Sequence, residues 1–122
     1  MARMAAVGRG QLRVLDSWVQ KRRDVFSRYE EAFRGIESIR WMPEASFGKA
    51  TRWMIPFTIE DGARITPIDV LDSLEGVNAE SRRTWKPMHR QPIFSKYEYF
   101  PHTENESVCD RLFETGVILP SG

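Results

Sequence analysis

The chain has 122 residues, a mass of 14.2 kDa and a formal net charge of +1, with 41% hydrophobic, 11% aromatic and 29% charged residues. This composition predicts one folded domain over residues 1–122 and argues against disorder. No apolar run is long enough for a membrane span and no secretory signal is visible, so we expect no membrane partner. The single cysteine, Cys109, excludes an internal disulfide framework and is typical of a reducing cytoplasm.

Charge is distributed unevenly along the chain. Residues 1–40 contain nine basic and five acidic residues, a balance of +4, whereas residues 41–122 contain nine and twelve, a balance of −3. Acidic residues alternate with the basic ones in the first part, so we expect no nucleic-acid partner. Arginine accounts for fourteen of the eighteen cations and suits phosphate, carboxylate or acidic protein surfaces. Composition leaves open a binding module, an enzyme fragment and a small enzyme.

The first half of the chain predicts one long helix and two strands. Apolar residues at three- and four-residue steps predict an amphipathic helix over Gly10–Phe33, extending to about residue 34, and Gly35 is the expected stop. Ile39–Met42 is a short predicted strand. Trp53–Ile59 is a second one, and its Pro56 predicts an edge position or a bulge.

The middle of the chain carries a helix-start signal. Thr66 is a predicted N-cap, Pro67 occupies the first turn, and Asp69 supplies the carboxylate of a capping box. Gly76 is the expected end of this helix. The following segment, Ala79–Trp85, is predicted to be extended and to lie at a sheet edge.

The last third predicts a stiff loop, a helix and a final strand. Lys86–Pro92 contains two prolines and is predicted to be polyproline-like. Glu104–Thr115 is a predicted helix that Gly116 ends, and Val117–Leu119 is a predicted strand. The element order α-β-β-α-β-α-β predicts an α+β fold, with helices packed on a small antiparallel sheet.

Several kinds of chemistry lack support in the sequence. His89 and His102 are the only histidines, and no cysteine or acidic group has metal-ligand spacing, which argues against a zinc site. Cys109 lies on the apolar stripe of the last predicted helix and is expected to be a buried, unreactive thiol. No motif places a serine nucleophile or a dinucleotide-binding loop.

The segment from Arg82 to Pro92 has the strongest functional signal. It combines four cations with Trp85, His89 and Gln91 on a backbone that contains two prolines. Such a stiff cationic loop suits an anion such as a diphosphate, because a preorganised loop loses little entropy on binding. The alternative is a charged loop whose Trp85 and Met88 are core residues.

The same segment and its neighbours resemble a known family. The motifs follow the order of the DegT/DnrJ/EryC1/StrS sugar aminotransferases over nearly the whole chain: Arg52-Trp53, Trp85-Lys86-Pro87-Met88-His89, Gln91-Pro92, Cys109-Asp110-Arg111-Leu112-Phe113-Glu114-Thr115-Gly116 and Leu119-Pro120-Ser121-Gly122. Within the family they are most similar to the enzymes that make UDP-linked 4-amino sugars, such as the UDP-N-acetylbacillosamine and exopolysaccharide aminotransferases.

The resemblance implies that residues 1–122 are a C-terminal fragment, the small domain of a fold type I pyridoxal phosphate enzyme. Its long helix would cover about residues 10–34 and its α+β part about residues 36–122. The cofactor lysine would belong to a large domain N-terminal to residue 1, since no lysine here has the family's context: Lys21, Lys49, Lys86 and Lys96. The resemblance therefore implies no catalytic residue, no cofactor bound to this chain alone and no activity of the isolated chain.

The resemblance also implies a substrate site. It assigns Lys86 and His89 to the diphosphate or sugar hydroxyls of a nucleotide-sugar, Arg82 to charge support, and Trp85 to substrate contact or packing. The implied reaction transfers an amino group from glutamate to the 4-keto carbon of a UDP-4-keto-6-deoxy sugar, for polysaccharide or glycan synthesis. A cytoplasmic homodimer is expected. The alternative function is a stand-alone module that binds nucleotide-sugars or anions.

Overall fold

A computed structural model describes residues 2–104 and 106–121, and the side chains from residue 4 onward within these ranges. The chain divides into two compact units. The first contains residues 2–35, 44–55 and 121, and the second contains residues 36–43 and 56–120.

The first unit contains the long helix α1, Ala2–Ala32, which begins eight residues before the expected start at Gly10. The glycines at positions 8 and 10 are weak helix formers, but the alanines and methionine before them favour helix and extend it. After the helix, Gly35 has a φ of +86°, the left-handed conformation expected of a stop. Apolar side chains remain exposed along α1, among them Leu12 and Trp18.

A loop of the first unit is fixed to α1 by charged groups around Glu44. The Glu44 carboxylate accepts hydrogen bonds from the backbone N–H of Ala50 and from Arg23, each at 3.1 Å. Arg52 lies 3.3 Å from the same carboxylate, and its guanidinium carbon lies 3.8 Å from the ring centroid of the buried Phe26. The backbone N–H of Ala50 and Arg23 hold the pKa of Glu44 below its ordinary value.

The second unit is built on a four-stranded antiparallel sheet in the order β1-β2-β4-β3. Its strands are β1 Ile39–Trp41, β2 Ile55–Ile59, β3 Arg82–Arg83 and β4 Gly116–Leu119. In β2 buried residues alternate with half-buried ones, and in β4 every residue is buried. The sheet and its helices therefore confirm the predicted α+β class.

The expectation that Pro56 places its strand at an edge is wrong. Strand β2 lies between β1 and β4. The register pairs Ile39–Trp41 with Phe57–Ile59, so Pro56 falls just beyond the last pair, where its carbonyl accepts from Met42 N–H at 3.3 Å. A hydrogen-bonded antiparallel pair normally exchanges two bonds, and proline has no N–H for the second one, so the ladder with β1 ends here. The two edges are formed by β1 and β3, and the edge position of β3 was expected for Ala79–Trp85.

Two helices complete the second unit. Helix α2, Pro67–Glu75, has the full capping box: the Thr66 hydroxyl accepts from Asp69 N–H at 3.3 Å, and the Asp69 carboxylate accepts from Thr66 N–H at 2.7 Å. Helix α3, Val108–Thr115, begins four residues after the expected Glu104, because the Ser107 hydroxyl caps it by accepting from Asp110 N–H. Gly116 then continues directly into β4.

Candidate functional site

The segment after β3 folds into two turns of 3₁₀-helix, at Met88–Arg90 and Pro92–Phe94. The predicted polyproline-like loop is therefore wrong for most of this segment, because the φ that proline fixes suits a 3₁₀ turn as well as an extended one. Backbone hydrogen bonds from Arg90 to Pro87 and from Gln91 to Met88, at 3.1 and 3.0 Å, close the first turn. The result is a short, internally bonded segment.

This segment forms one wall of an open cleft of about 620 Å³. The residues that line the cleft come from three parts of the second unit: Trp85, Lys86, Pro87, Met88, His89, Gln91, Tyr99 and Cys109. Pro87 is buried, whereas Trp85 is 65% and Met88 59% exposed. The alternative in which these two side chains are core residues is therefore wrong, and both are available to a ligand.

His89 is the most firmly positioned side chain of the cleft. Its Nε2 lies 2.9 Å from a carboxylate oxygen of Asp110, at the start of α3. Its ring stacks on Tyr99, with the centroids 3.7 Å apart and the planes inclined by 18°. In the neutral ring a hydrogen on Nε2 is donated to Asp110, which makes Nδ1 a hydrogen-bond acceptor. Asp110 therefore determines what His89 can offer to a ligand.

Asp110 is itself stabilised as a carboxylate. The pKa of Asp110 lies below its ordinary value, first because of the hydrogen bond with Ser107 and then because of His89. Arg90 adds positive charge, since its Nη1 lies 3.4 Å from Oδ1 of Asp110 and 2.9 Å from Glu114. The carboxylate thus holds its charge beside the imidazole.

Cys109 differs from its expected buried and unreactive state. Its side chain is partly exposed and lines the cleft. Its Sγ lies 3.1 Å from the Tyr99 hydroxyl and 3.4 Å from the Ser107 hydroxyl. Hydrogen bonding, from Ser107 first and then Tyr99, lowers the pKa of the Cys109 thiol. The thiol therefore lies in a polar environment at the surface of the cleft.

The structure brings together three of the four predicted site residues. Lys86, His89 and Trp85 line the cleft, and the Lys86 side chain is exposed. Arg82 lies on β3, where its exposed guanidinium forms an ion pair with Glu80, and it is absent from the cleft lining. A role for Arg82 in charge support stays a prediction.

Sequence reasoning did not find the partners of His89. The sequence pattern gives Tyr99 no role, places Cys109 on the apolar stripe of a helix and places Asp110 in the same helix. The His89–Asp110 pair spans 21 residues and the Tyr99–Cys109 pair spans 10, so neither pair forms a local motif. The one available signal was the position of Cys109 and Asp110 after Ser107, a helix-capping residue that places both in a first turn.

The exposed lysines of this chain do not have the surroundings that a Schiff-base lysine needs. A Schiff-base lysine needs a position that is shielded enough to lower its pKa, and an acidic group must face the pyridine nitrogen. All four lysines of the chain are exposed. Asp110 is not among the residues that line the cleft, and its Oδ2 is hydrogen-bonded to His89. These side chains therefore suit contact with a ligand and do not suit a covalent link to the cofactor.

Comparison with known proteins identifies the family. The profile of the DegT/DnrJ/EryC1/StrS aminotransferase family matches residues 2–122. The chain belongs to this family. It is 41% identical over 119 residues to EpsN of Bacillus subtilis (strain 168), a provisionally assigned pyridoxal phosphate-dependent aminotransferase. The aligned region covers 98% of this chain and 30% of EpsN. The chain is 27% identical over 118 residues to the GDP-perosamine synthase of Caulobacter vibrioides, covering 96% and 31% of the two chains.

Solved structures give the same fold. DesV of S. venezuelae, in complex with a ketimine intermediate, matches with a TM-score of 0.79 and 19% identity over 97% of this chain and 30% of DesV. A provisionally assigned sugar aminotransferase of Streptococcus pneumoniae in its PLP form matches with a TM-score of 0.79 and 21% identity, at the same coverage. The chain thus spans about 30% of the length of the relatives it matches. In the described part of the chain, no helix has the length and apolar character needed to cross a membrane.

Proposed function

We propose that this chain is the C-terminal small domain of a pyridoxal phosphate-dependent aminotransferase that converts a UDP-4-keto-6-deoxy sugar into a 4-amino sugar. The observation that supports this proposal best is the position of Lys86 and His89 on one wall of a single cleft, with His89 oriented by Asp110. Family membership supplies the class of reaction. Pyridoxal phosphate, bound elsewhere in the protein, supplies the electron sink for amino transfer.

In this proposal the cleft binds the nucleotide-sugar through groups of different chemistry. The exposed ammonium of Lys86 suits a diphosphate oxygen, because an ammonium donates up to three charge-assisted hydrogen bonds. Nδ1 of neutral His89 suits a sugar hydroxyl as donor, since Nε2 is occupied by Asp110. The exposed indole of Trp85 offers a flat apolar face to a sugar or base ring. Arg82 adds positive potential from the neighbouring strand β3 without direct contact.

We propose further that the isolated chain does not transaminate and does not hold the cofactor. Its four lysines are exposed, and the chain covers only about 30% of its relatives. The apolar side chains exposed along α1, such as Leu12 and Trp18, suit packing against the rest of the protein. Glutamate as amino donor, a homodimeric assembly, a cytoplasmic location and a role in polysaccharide or glycan synthesis complete the proposal.

The test is steady-state amino transfer by the protein that carries this chain with its cofactor domain, using a UDP-4-keto-6-deoxy sugar and glutamate. Lys86→Ala and His89→Ala are expected to raise the KM for the nucleotide-sugar by about tenfold or more, the size of a lost hydrogen bond to a charged group. The KM for glutamate should stay unchanged in both variants. Lys96→Ala is the matched control, since Lys96 is an exposed lysine of the same unit outside the cleft lining.

Two results would contradict the proposal in different ways. An unchanged KM in both cleft variants would mean that the cleft does not bind the nucleotide-sugar. A strong preference for a GDP-linked over a UDP-linked sugar would support the proposed reaction but contradict the proposed nucleotide. The similarity to a GDP-perosamine synthase is the reason to measure this preference.

The stand-alone binding module is the second candidate, and binding to the isolated chain discriminates it. Calorimetric titration of the 122-residue chain with a UDP-sugar is expected to give weak binding or none if the ligand needs the rest of the enzyme. Saturable binding that His89→Ala removes and Lys96→Ala retains would favour the module.

A further inference from the structure

We propose that His89, Cys109 and Asp110 form a binding site for a thiophilic divalent cation, with Zn²⁺ as the best fit. One imidazole nitrogen, the thiol Sγ and a carboxylate oxygen of these residues all lie within 4.8 Å of one another. The sequence argued against a zinc site because these residues have no metal-ligand spacing. In the fold, however, the turn at His89 packs against the first turn of α3, so residues that are distant in sequence lie close together. The inference does not depend on the proposed function.

The separations of the three ligand atoms are close to those of a metal centre. Zn²⁺ binds nitrogen and oxygen at about 2.0–2.2 Å and sulfur at about 2.3 Å, so two ligands of one ion lie about 3.3–3.7 Å apart in tetrahedral geometry. Nε2 and the Asp110 oxygen are 2.9 Å apart, and the widest pair stays within 4.8 Å. Binding of an ion would require the first pair to open slightly and the Cys109 side chain to turn away from the hydroxyls of Tyr99 and Ser107.

The Asp110 carboxylate has unused capacity for a cation. Its Oδ1 is buried and accepts no hydrogen bond from the described residues, although Arg90 Nη1 lies 3.4 Å away. Buried oxygens of this kind usually have a partner, which is often a water or an ion. Arg90 is shared with Glu114, at 2.9 Å, so its charge compensates Asp110 only in part. This oxygen is an observation independent of the cluster geometry.

The donor types select the cation. A thiolate and an imidazole favour Zn²⁺ and related transition metals, whereas Mg²⁺ and Ca²⁺ prefer oxygen ligands alone. Binding releases the thiol proton of Cys109 to solvent and leaves the imidazole neutral, with its hydrogen on Nδ1. The hydrogen bond between His89 and Asp110 is then replaced by one metal bond to each residue. Three protein ligands leave a fourth position for water, the coordination that catalytic zinc sites have.

The test is a titration of the purified, reduced protein with Co²⁺, whose bonds to thiolate absorb in the near ultraviolet, followed by displacement with Zn²⁺. We expect one Co²⁺ per chain, thiolate absorption, and tighter binding of Zn²⁺ than of Co²⁺. Cys109→Ser should abolish the thiolate absorption. His89→Gln and Asp110→Asn should each weaken binding by more than about tenfold, at least the effect of losing an outer-shell partner.

Controls separate this site from nonspecific binding and from misfolding. His102→Gln removes the other histidine, which is exposed and outside the cluster, and should leave Co²⁺ affinity unchanged. Circular dichroism of each variant without metal checks the fold, and three separate ligand variants ensure that one folding failure does not decide the matter. The proposal is overturned if wild type shows no saturable binding below millimolar metal, or if His89→Gln retains the affinity of wild type.

Discussion

The interior of the sheet and the wall of the cleft are held by different interactions. Strands β2 and β4 supply almost all the buried apolar side chains, and Ile55 and Val117 are completely inaccessible to solvent. In the cleft wall, by contrast, Trp85 and Met88 are more than half exposed, and His89 is fixed by a carboxylate and a stacked ring. Apolar burial stabilises the first region, and polar contacts orient the second.

This difference separates folding from binding. The loss of a buried methyl group leaves a cavity in the core and lowers the free energy of unfolding of the whole fold. The loss of an exposed cleft side chain removes a ligand contact and leaves the sheet intact. Substitutions in the two regions should therefore affect different measurements, and the predictions below start with the largest expected effect on stability.

Ile55→Ala should destabilise the protein most. Ile55 is completely buried in β2, so truncation leaves a cavity and should lower the free energy of unfolding by about 2–5 kcal/mol. Urea unfolding followed by circular dichroism measures the change. The matched control is Ile93→Ala, because Ile93 is 72% exposed and the same truncation should cost less than about 0.5 kcal/mol. Equal losses in the two variants would contradict the contrast between the regions.

Gly116→Ala should have the next largest effect, because there is no space for a β-carbon where α3 continues into β4. An added Cβ would lie 2.5 Å from the Thr84 side chain and closer still to the carbonyl oxygen of Leu112. We expect a loss of about 1–3 kcal/mol from overpacking, measured by thermal and urea unfolding. Gly48→Ala is the control, since no atom lies within 4 Å of its added Cβ. A neutral Gly116→Ala would show that this junction relaxes easily.

Local signals predicted the elements of the sheet interior well. The Thr66, Pro67 and Asp69 capping box is confirmed because all of its hydrogen bonds lie within four residues. The strands predicted at Trp53–Ile59 and Val117–Leu119 are confirmed, with observed bounds Ile55–Ile59 and Gly116–Leu119, because their burial follows from their apolar composition. The interior position of the strand that contains Pro56 could not be predicted, since it depends on β4, a strand distant in sequence, pairing on its other side.

The cleft was predictable only in part. The cationic segment around Lys86 and His89 was identified from its own residues, and both side chains line the cleft. Its 3₁₀ turns were missed, because proline geometry is compatible with either backbone. The pairing of His89 with Asp110 joins two helical turns that are distant in sequence, and no single segment encodes it. Nonlocal polar contacts of this kind need the fold before they can be seen.

The smallest predicted effect concerns polar contacts outside the cleft and depends on pH. The pKa of Glu44 is lowered from its ordinary value of 4.5, first by the backbone N–H of Ala50 and then by Arg23. Because the folded-state pKa lies below the unfolded one, Glu44 stabilises the fold above its unfolded pKa, and this contribution disappears as pH falls through the folded pKa. Wild type should thus exceed Glu44→Gln in urea stability at neutral pH and converge with it in acid. Glu98→Gln, at an exposed position, is the matched control. If wild type and Glu44→Gln differ in urea stability by the same amount in acid, Glu44 acts through packing and not through its charge. The contrast between apolar and polar stabilisation would then not extend to this loop.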